Sequence, residues 1–250
     1  MPRLMTYNVH GCVGVDGKLD VGRIAAVIGQ SRPDVVALQE LDVGRARSGR
    51  VDQAHEIASR LGMRFHFNSA FQVEKEQYGD AVLTTLPERL IKVGPLPTLP
   101  RTRLERRGAL WVAVETDGVE LQIINTHLGL VPMEQRAQVE CLLSGDWLSH
   151  PERRGPTVML GDFNATSRYA AYRALVGRLR DIQRGPDGKR IRRRKSVRTF
   201  PSRAPLLRID HMFISPEVEV LNVHAPDGPL VRVASDHLPL VADIRVSAAS

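Results

Sequence analysis

The sequence predicts an α/β fold in which mixed β-sheets are flanked by helices, and three observations carry that expectation. Short apolar runs of β type alternate with segments whose apolar residues recur at helical spacing. Their order begins strand–helix–strand, passes through a hairpin marked by Asp117–Gly118, and returns to helix and strand. Six of the runs carry a carboxylate, an imidazole or a carboxamide at one end, which the interior of a sheet does not require.

Along the chain, Leu4–Tyr7 is the first apolar run and leads into Asn8. Val21–Gln30 reads as a helix, because Val21, Ile24, Ala25, Val27 and Ile28 share one face and Arg32–Pro33 ends it. Val35–Gln39 is a buried type of strand that leads into Glu40. Asp52 suits the N-cap of a helix over Asp52–Leu61. Runs at 65–68, 79–85, 108–114 and 119–126 follow, the last ending at His127. A helix at Glu134–Leu143 precedes a strand at 157–161, which ends at Asp162 with Asn164 beyond it. Arg168–Val176 is the next helix, and 184–206, rich in Arg, Gly and Pro, reads as a mobile basic loop. The last strands are 211–215, 217–223 and 239–246. Asp210 stands at the start of the first, and Asp236–His237 stands ahead of the last.

No Gly/Ser linker and no internal repeat divides the chain, and the polar-tipped runs extend from residue 8 to residue 237. A site drawn from both ends implies one domain over 1–250. Apolar content of 42% and charged content of 25% suit a soluble protein with a full core. Strand-forming sequence from Leu4 leaves no room for a signal peptide, and no apolar run approaches the ~20 residues of a membrane span. Cys12 and Cys141 are the only cysteines, which excludes a disulfide framework and suggests a reducing compartment. The expected location is therefore cytoplasmic, with peripheral membrane contact as a second option, and the expected state is a monomer. The net charge of +7 is local: Lys189, Arg190, Arg192, Arg193, Arg194, Lys195 and Arg198 account for all of it. A weaker cluster is Arg101, Arg103, Arg106 and Arg107.

If the polar-tipped runs open on one rim, acids, amides and imidazoles converge in one cleft, the set that metal-assisted phosphoryl chemistry needs. Glu40 is a hard oxygen donor for Mg²⁺ or Mn²⁺, which keeps several waters and takes one or two protein carboxylates. Asn8 and Asp236 complete the sphere directly or through water. Asp162 and Asn164, two apart, face one side of an extended segment and suit the positioning of a water, and Gly161 admits close backbone approach. Asp236 and His237 are adjacent and point to opposite faces, so a distant acid must orient His237. Asp210 is the candidate, and the free ring nitrogen then acts as a base.

Thr6–Tyr7–Asn8–Val9, Leu38–Gln39–Glu40, Asn125–Thr126–His127–Leu128, Gly161–Asp162–Phe163–Asn164, Arg208–Ile209–Asp210 and Ser235–Asp236–His237 resemble, in order and spacing, the endonuclease/exonuclease/phosphatase superfamily. The resemblance runs from residue 4 to about 245. It implies a four-layer α/β/β/α sandwich with two mixed sheets face to face and the site at the rim between them. It implies Glu40 as principal metal ligand with Asn8 and Asp236 assisting, and His237, oriented by Asp210, as general base. In parts of the family the base is placed at the position of Asp162. Asn164 would hold water or a phosphate oxygen, His127 would donate to phosphate oxygens, and Arg107 would contact substrate. Asp80 stands where the family often has Asn; pairing with His127 and support of a second metal both remain open.

A phosphodiester substrate is expected, most simply a phospholipid or small headgroup. Gly11–Gly17 with Val51–Gln53 is similar to a bacterial branch related to a glycosylphosphatidylinositol-lipid remodelling protein, and no aromatic-rich segment precedes Asp210. The alternative is a Mg²⁺-dependent endonuclease or exonuclease on DNA or RNA. The tract Lys189–Arg198 would meet anionic membrane in the first case and the nucleic-acid backbone in the second. A third reading is an inactive phosphate-binding module.

Overall fold

The computed structural model describes residues 1–100, 102–185, 187–189 and 196–247. Its elements are, in order, β1 (Arg3–Asn8), α1 (Val21–Ser31), β2 (Val35–Val43), α2 (Gln53–Leu61), β3 (Arg64–Val73), β4 (Glu76–Thr84), β5 (Glu88–Pro95), β6 (Gly108–Thr116), β7 (Val119–His127), α3 (Pro132–Leu143), β8 (Thr157–Asp162), α4 (Ala170–Val176), β9 (Arg180–Asp181), β10 (Asp210–Ile214), β11 (Val218–His224), α5 (Pro229–Ala234) and β12 (Leu240–Val246). The strands form two six-stranded sheets, β11-β12-β1-β2-β4-β3 and β5-β6-β7-β8-β10-β9. This is the α/β sandwich that the sequence led us to expect.

Alternation along the strands builds the layers. Leu4, Val35, Ala37, Val112, Ile123, Leu160, Met212 and Leu240 point into the space between the sheets. Their neighbours Met5, Val36 and Leu38 point the other way, onto Ile24 and Ile28 of α1 and Ile57 of α2. On the second sheet, Trp111, Ile124, Met159 and Phe213 pack outward against Val139 and Leu142 of α3 and Leu175 of α4. A one-residue slip would exchange the two faces, so the apolar pattern itself sets the register.

The two sheets share one arrangement. β1 lies parallel to β2 and antiparallel to β12, and β8 lies parallel to β7 and antiparallel to β10. The C-terminal ends of β1, β2, β7 and β8 and the N-terminal ends of β10 and β12 therefore open on the same rim.

Some elements differ from the sequence expectation. β5 and β9 were not expected, and β5 is a half-exposed edge strand rich in charge, which gives no apolar alternation to read. α5 has six residues, too short for a helical period. β2 does not end at Glu40 but runs to Val43. The hairpin expected at Asp117–Gly118 is present, with φ of 52° and 75° at the two residues, as a primed turn requires.

Candidate functional site

Each functional side chain reaches the rim through a local device. The pairing of β2 with β4 shifts between Leu38 and Leu41, and Glu40 sits in this bulge with φ of 64°. A non-glycine residue held there is strained, and the strain turns the carboxylate out of the ladder. Gly161 answers a different need. A Cβ at this position would lie 1.8 Å from the Thr126 carbonyl oxygen, so only glycine lets β8 lie this close to β7. Asn164 has φ of 48°, and its N–H donates to Asp162 Oδ1 at 2.9 Å.

Below the rim, amides join the sheets. Gln39 Nε2 donates to Asn125 Oδ1 at 2.8 Å, and Asn125 Nδ2 donates to the carbonyls of Leu38 and Ala81. At the rim, Asn8 Nδ2 donates to Glu40 Oε1 at 2.9 Å and to Asp162 Oδ2 at 3.0 Å, while its Oδ1 accepts the His10 N–H. In this orientation the Asn8 amide braces two acids rather than offering its oxygen to the cleft.

Asp162 is the hub. Its Oδ2 lies 3.6 Å from Nε2 of His127 and 3.6 Å from Nε2 of His237. His237 Nδ1 is 2.9 Å from Asp210 Oδ2, which also accepts the Thr199 hydroxyl. The ring leans on Phe200, with centroids 4.9 Å apart. Ser235 Oγ donates to the Asn8 carbonyl and accepts the His237 N–H, so it ties β1 to the loop that carries the imidazole.

Electrostatics separates the two imidazoles. Burial disfavours charge on His237, but the carboxylates of Asp210, Asp162 and Asp236 overcome it and push the group up to about 10. His127 goes the other way, held well below its ordinary value by burial, the Arg107 guanidinium and His237. Arginine can only donate, so Arg107 Nη1, 3.0 Å from Nδ1, needs that nitrogen as a bare acceptor and disfavours a second ring proton, while Asn164 Nδ2 lies 3.1 Å from Nε2. Burial also raises Asp162 to about 7, against the charge of His237 and the hydrogen bonds from Asn164 and Asn8.

The carboxylates of Glu40 and Asp236 have the donor chemistry of divalent-cation ligands, although neither belongs to the one converging ligand group among the described residues. The side chains of Glu40 and Asp236 are 22% and 35% exposed. Among the described residues no Lys or Arg lies within 4.0 Å of either; their only ionic neighbours are His127 and His10, each at 4.0 Å. Uncompensated carboxylates at the mouth of a cleft are hard oxygen donors of the kind Mg²⁺ takes. Deeper in, ligand atoms of Asp162, Asp210 and His237 lie within 4.8 Å of one another, and Asp210 Oδ1 is buried without a partner.

Two expected residues are placed differently. Arg107 does not present itself to solvent: its side chain is 7% exposed and stands behind His127. Asp80 is buried, raised to about 7 by burial with Arg107 opposing, and takes the backbone N–H of Glu40. Both ring nitrogens of His127 have other neighbours, and Asp80 joins no metal-ligand group among the described residues. The structure therefore does not pair Asp80 with His127.

The expected loop 184–206 is in part built into the site. Thr199 and Ser202 are fully buried. Of the basic tract, Arg190–Lys195 lies outside the described residues. Nothing local marks Thr199, which lies in an Arg-rich stretch, and Gln39 and Asn125 stand in the motifs without an assigned role, because a buried amide has no local signature. Beside Glu40 opens a cleft of ≈ 840 Å³, bordered by His10, Phe71, Tyr78, Arg103 and Arg106.

A model of the Endonuclease/Exonuclease/phosphatase family matches residues 5–237. The uncharacterized protein YbhP of Escherichia coli strain K12 is 24% identical over 258 residues, covering 98% of this chain and 96% of that one. An endonuclease/exonuclease/phosphatase of Beutenbergia cavernae DSM 12333 superposes with a TM-score of 0.73 at 25% identity, over 98% of this chain and 71% of the other. The mannosyl-6-phosphatase of Bacteroides thetaiotaomicron VPI-5482 has a TM-score of 0.73 at 17% identity, over 98% and 100% of the two chains.

Proposed function

This chain belongs to the endonuclease/exonuclease/phosphatase family, and from that premise we propose that it is a divalent-metal-dependent phosphoesterase that hydrolyses a P–O bond by attack of water. One observation carries the reading: a single carboxylate oxygen of Asp162 touches the Asn8 amide and stands midway between two imidazoles, beside carboxylates that pair with no Lys or Arg among the described residues. A structural core has no use for such a group.

Glu40 and Asp236 would hold Mg²⁺ or Mn²⁺, with Asn8 bracing Glu40. The bound ion supplies charge neutralisation at a phosphate oxygen and at the leaving oxygen. The chain does the rest. Thr199 and Asp210 hold the His237 ring so that Nε2 faces Asp162. His237 and Asp162, 3.6 Å apart, take the proton of the attacking water between them. While His237 carries its proton, the Asp162 carboxylate is the acceptor; otherwise the imidazole is. His127 lies on the other side of Asp162, and its Nε2–H would donate to the phosphate oxygens, where charge grows as the bond breaks, while Asn164 beside it would hold the water or a phosphate oxygen. Arg107 acts through His127, holding its ring in place.

The substrate we favour is a phosphodiester with a small or lipid-borne headgroup. The cleft beside Glu40 suits a headgroup better than a run of stacked bases, since Phe71 and Tyr78 are the only Phe, Tyr or Trp among its described lining residues. The test is hydrolysis of bis(p-nitrophenyl) phosphate, phospholipid vesicles, an abasic duplex and supercoiled plasmid with Mg²⁺ or Mn²⁺. We expect metal-dependent release from the first two, abolished by EDTA. DNA nicking at low enzyme concentration would move the substrate to nucleic acid. Full activity in EDTA, or no hydrolysis of any phosphoester, would overturn the reading.

A further inference from the structure

A second cavity, of ≈ 640 Å³, shares no lining residue with the cleft at Glu40 and is walled by segments that adjoin site residues in the chain. Three segments that carry site residues build its wall. Thr166–Arg168 follows Asn164, Ser196–Arg198 leads into Thr199, and Leu206–Arg208 leads into Asp210. Arg184 closes it from the turn after β9. The cavity therefore begins within a few residues of the groups that face Asp162.

Its charge is one-sided. Arg168, Arg184, Arg198 and Arg208 line it, and no Asp or Glu among the described residues does. Arg208 is bound to Asp181 at 2.8 Å, and its Nε is buried without a partner. Asp181, which also accepts the Tyr172 hydroxyl, carries one negative charge and compensates Arg208 alone, leaving the other three arginines of the cavity without it. Arg168, Arg184 and Arg198 form no ion pair among the described residues. Gathering guanidinium groups around one cavity is unfavourable unless an anion enters, and planar N–H forks match phosphate oxygens in geometry as well as charge.

We infer that this cavity is a phosphate-binding subsite, which takes a second phosphate group carried by the same substrate on the side of the reacting phosphate away from Glu40. This rests on the phosphoesterase reading for the site beside it. The binding itself does not, because the cavity can be probed without turnover. Substrates with a lone phosphodiester would then be handled less well than substrates with two phosphate groups near each other.

The experiment is isothermal titration of inorganic pyrophosphate into the full chain in EDTA, so that no metal bridges the anion to the carboxylates. We expect binding that weakens with salt and falls by at least about tenfold in the triple variant Arg168→Ala, Arg184→Ala, Arg198→Ala. The corresponding triple Lys variant should keep part of the affinity, and matching melting curves would show that the variants fold. Titration with an inositol bisphosphate and with a short thymidine oligonucleotide separates the sources. Preference for the first identifies a headgroup, and preference for the second a nucleic-acid backbone. Absence of pyrophosphate binding to the wild type, or equal binding by the Ala variant, overturns the subsite. Loss of hydrolysis with binding intact would instead overturn the catalytic reading.

Discussion

Asp162 shows how much one atom can be asked to do. Its Oδ2 accepts from Asn8 and faces both imidazoles, while Oδ1 is held by the backbone of Asn164. The two rings it joins are unlike: three acids favour charge on His237, and Arg107 disfavours it on His127. His237 is the group whose removal discriminates a proton-transfer site from a binding site. His237→Ala should lower kcat by roughly 10²–10⁴, the range for loss of a general acid or base. Initial rates on bis(p-nitrophenyl) phosphate with Mg²⁺ measure it. A rate within about threefold of the parent would remove His237 from the proton path.

Among the elements, the junction of β7 and β8 is the most constrained. Thr126 pairs with Gly161 and His127 with Asp162, so two site residues are set by one parallel register. A methyl group at Gly161 would press on the Thr126 carbonyl and force the strands apart. Gly161→Ala should therefore destabilise by roughly 1–3 kcal/mol, as overpacking does, and lower activity beyond the loss of folded protein. Gly118 is the control. It has φ of 75° and open space where a Cβ would stand, so Gly118→Ala should cost only about 1–2 kcal/mol of backbone strain and leave turnover unchanged. Urea midpoints and rates per folded molecule separate the two; equal loss of turnover in both would show that the β7–β8 register does not position the site.

Across the whole molecule, the buried titratable groups predict how stability follows pH. Asp80 and Asp162 are raised to about 7 by burial, so the folded chain binds more protons than the unfolded chain between the usual carboxylate range and pH 7. His237, raised to about 10, does the same from its unfolded value of about 6.5 upward. More protons in the folded state means stability that falls as pH rises. His127 and His211 are lowered, chiefly by burial, and oppose this only below about pH 6.5, where their unfolded forms protonate. Between pH 7 and pH 10 nothing buried at the site offsets His237. The melting temperature in EDTA should accordingly decline across that window, and the decline should flatten in His237→Asn. An equal slope in the variant would place the titration elsewhere.

Much of this was legible in the linear sequence, and the reason is periodicity. Leu4, Val35, Leu160 and Leu240 fall on alternating positions, Val21–Ser31 on helical ones, and an acid or amide at the tip of such a run stands out because a core has no place for it. Element order and the polar tips follow from contacts between near neighbours in the chain. What the tertiary structure alone decided depends on pairs far apart in sequence, such as Asn8 and Asp162, which meet only when two sheets pack face to face. Packing turned Asn8 into a brace, set Arg107 behind His127, put Thr199 on Asp210 and left four arginines around one cavity. No local pattern encodes these, because each joins residues that only strand pairing, loop closure or the packing of the two sheets brings together.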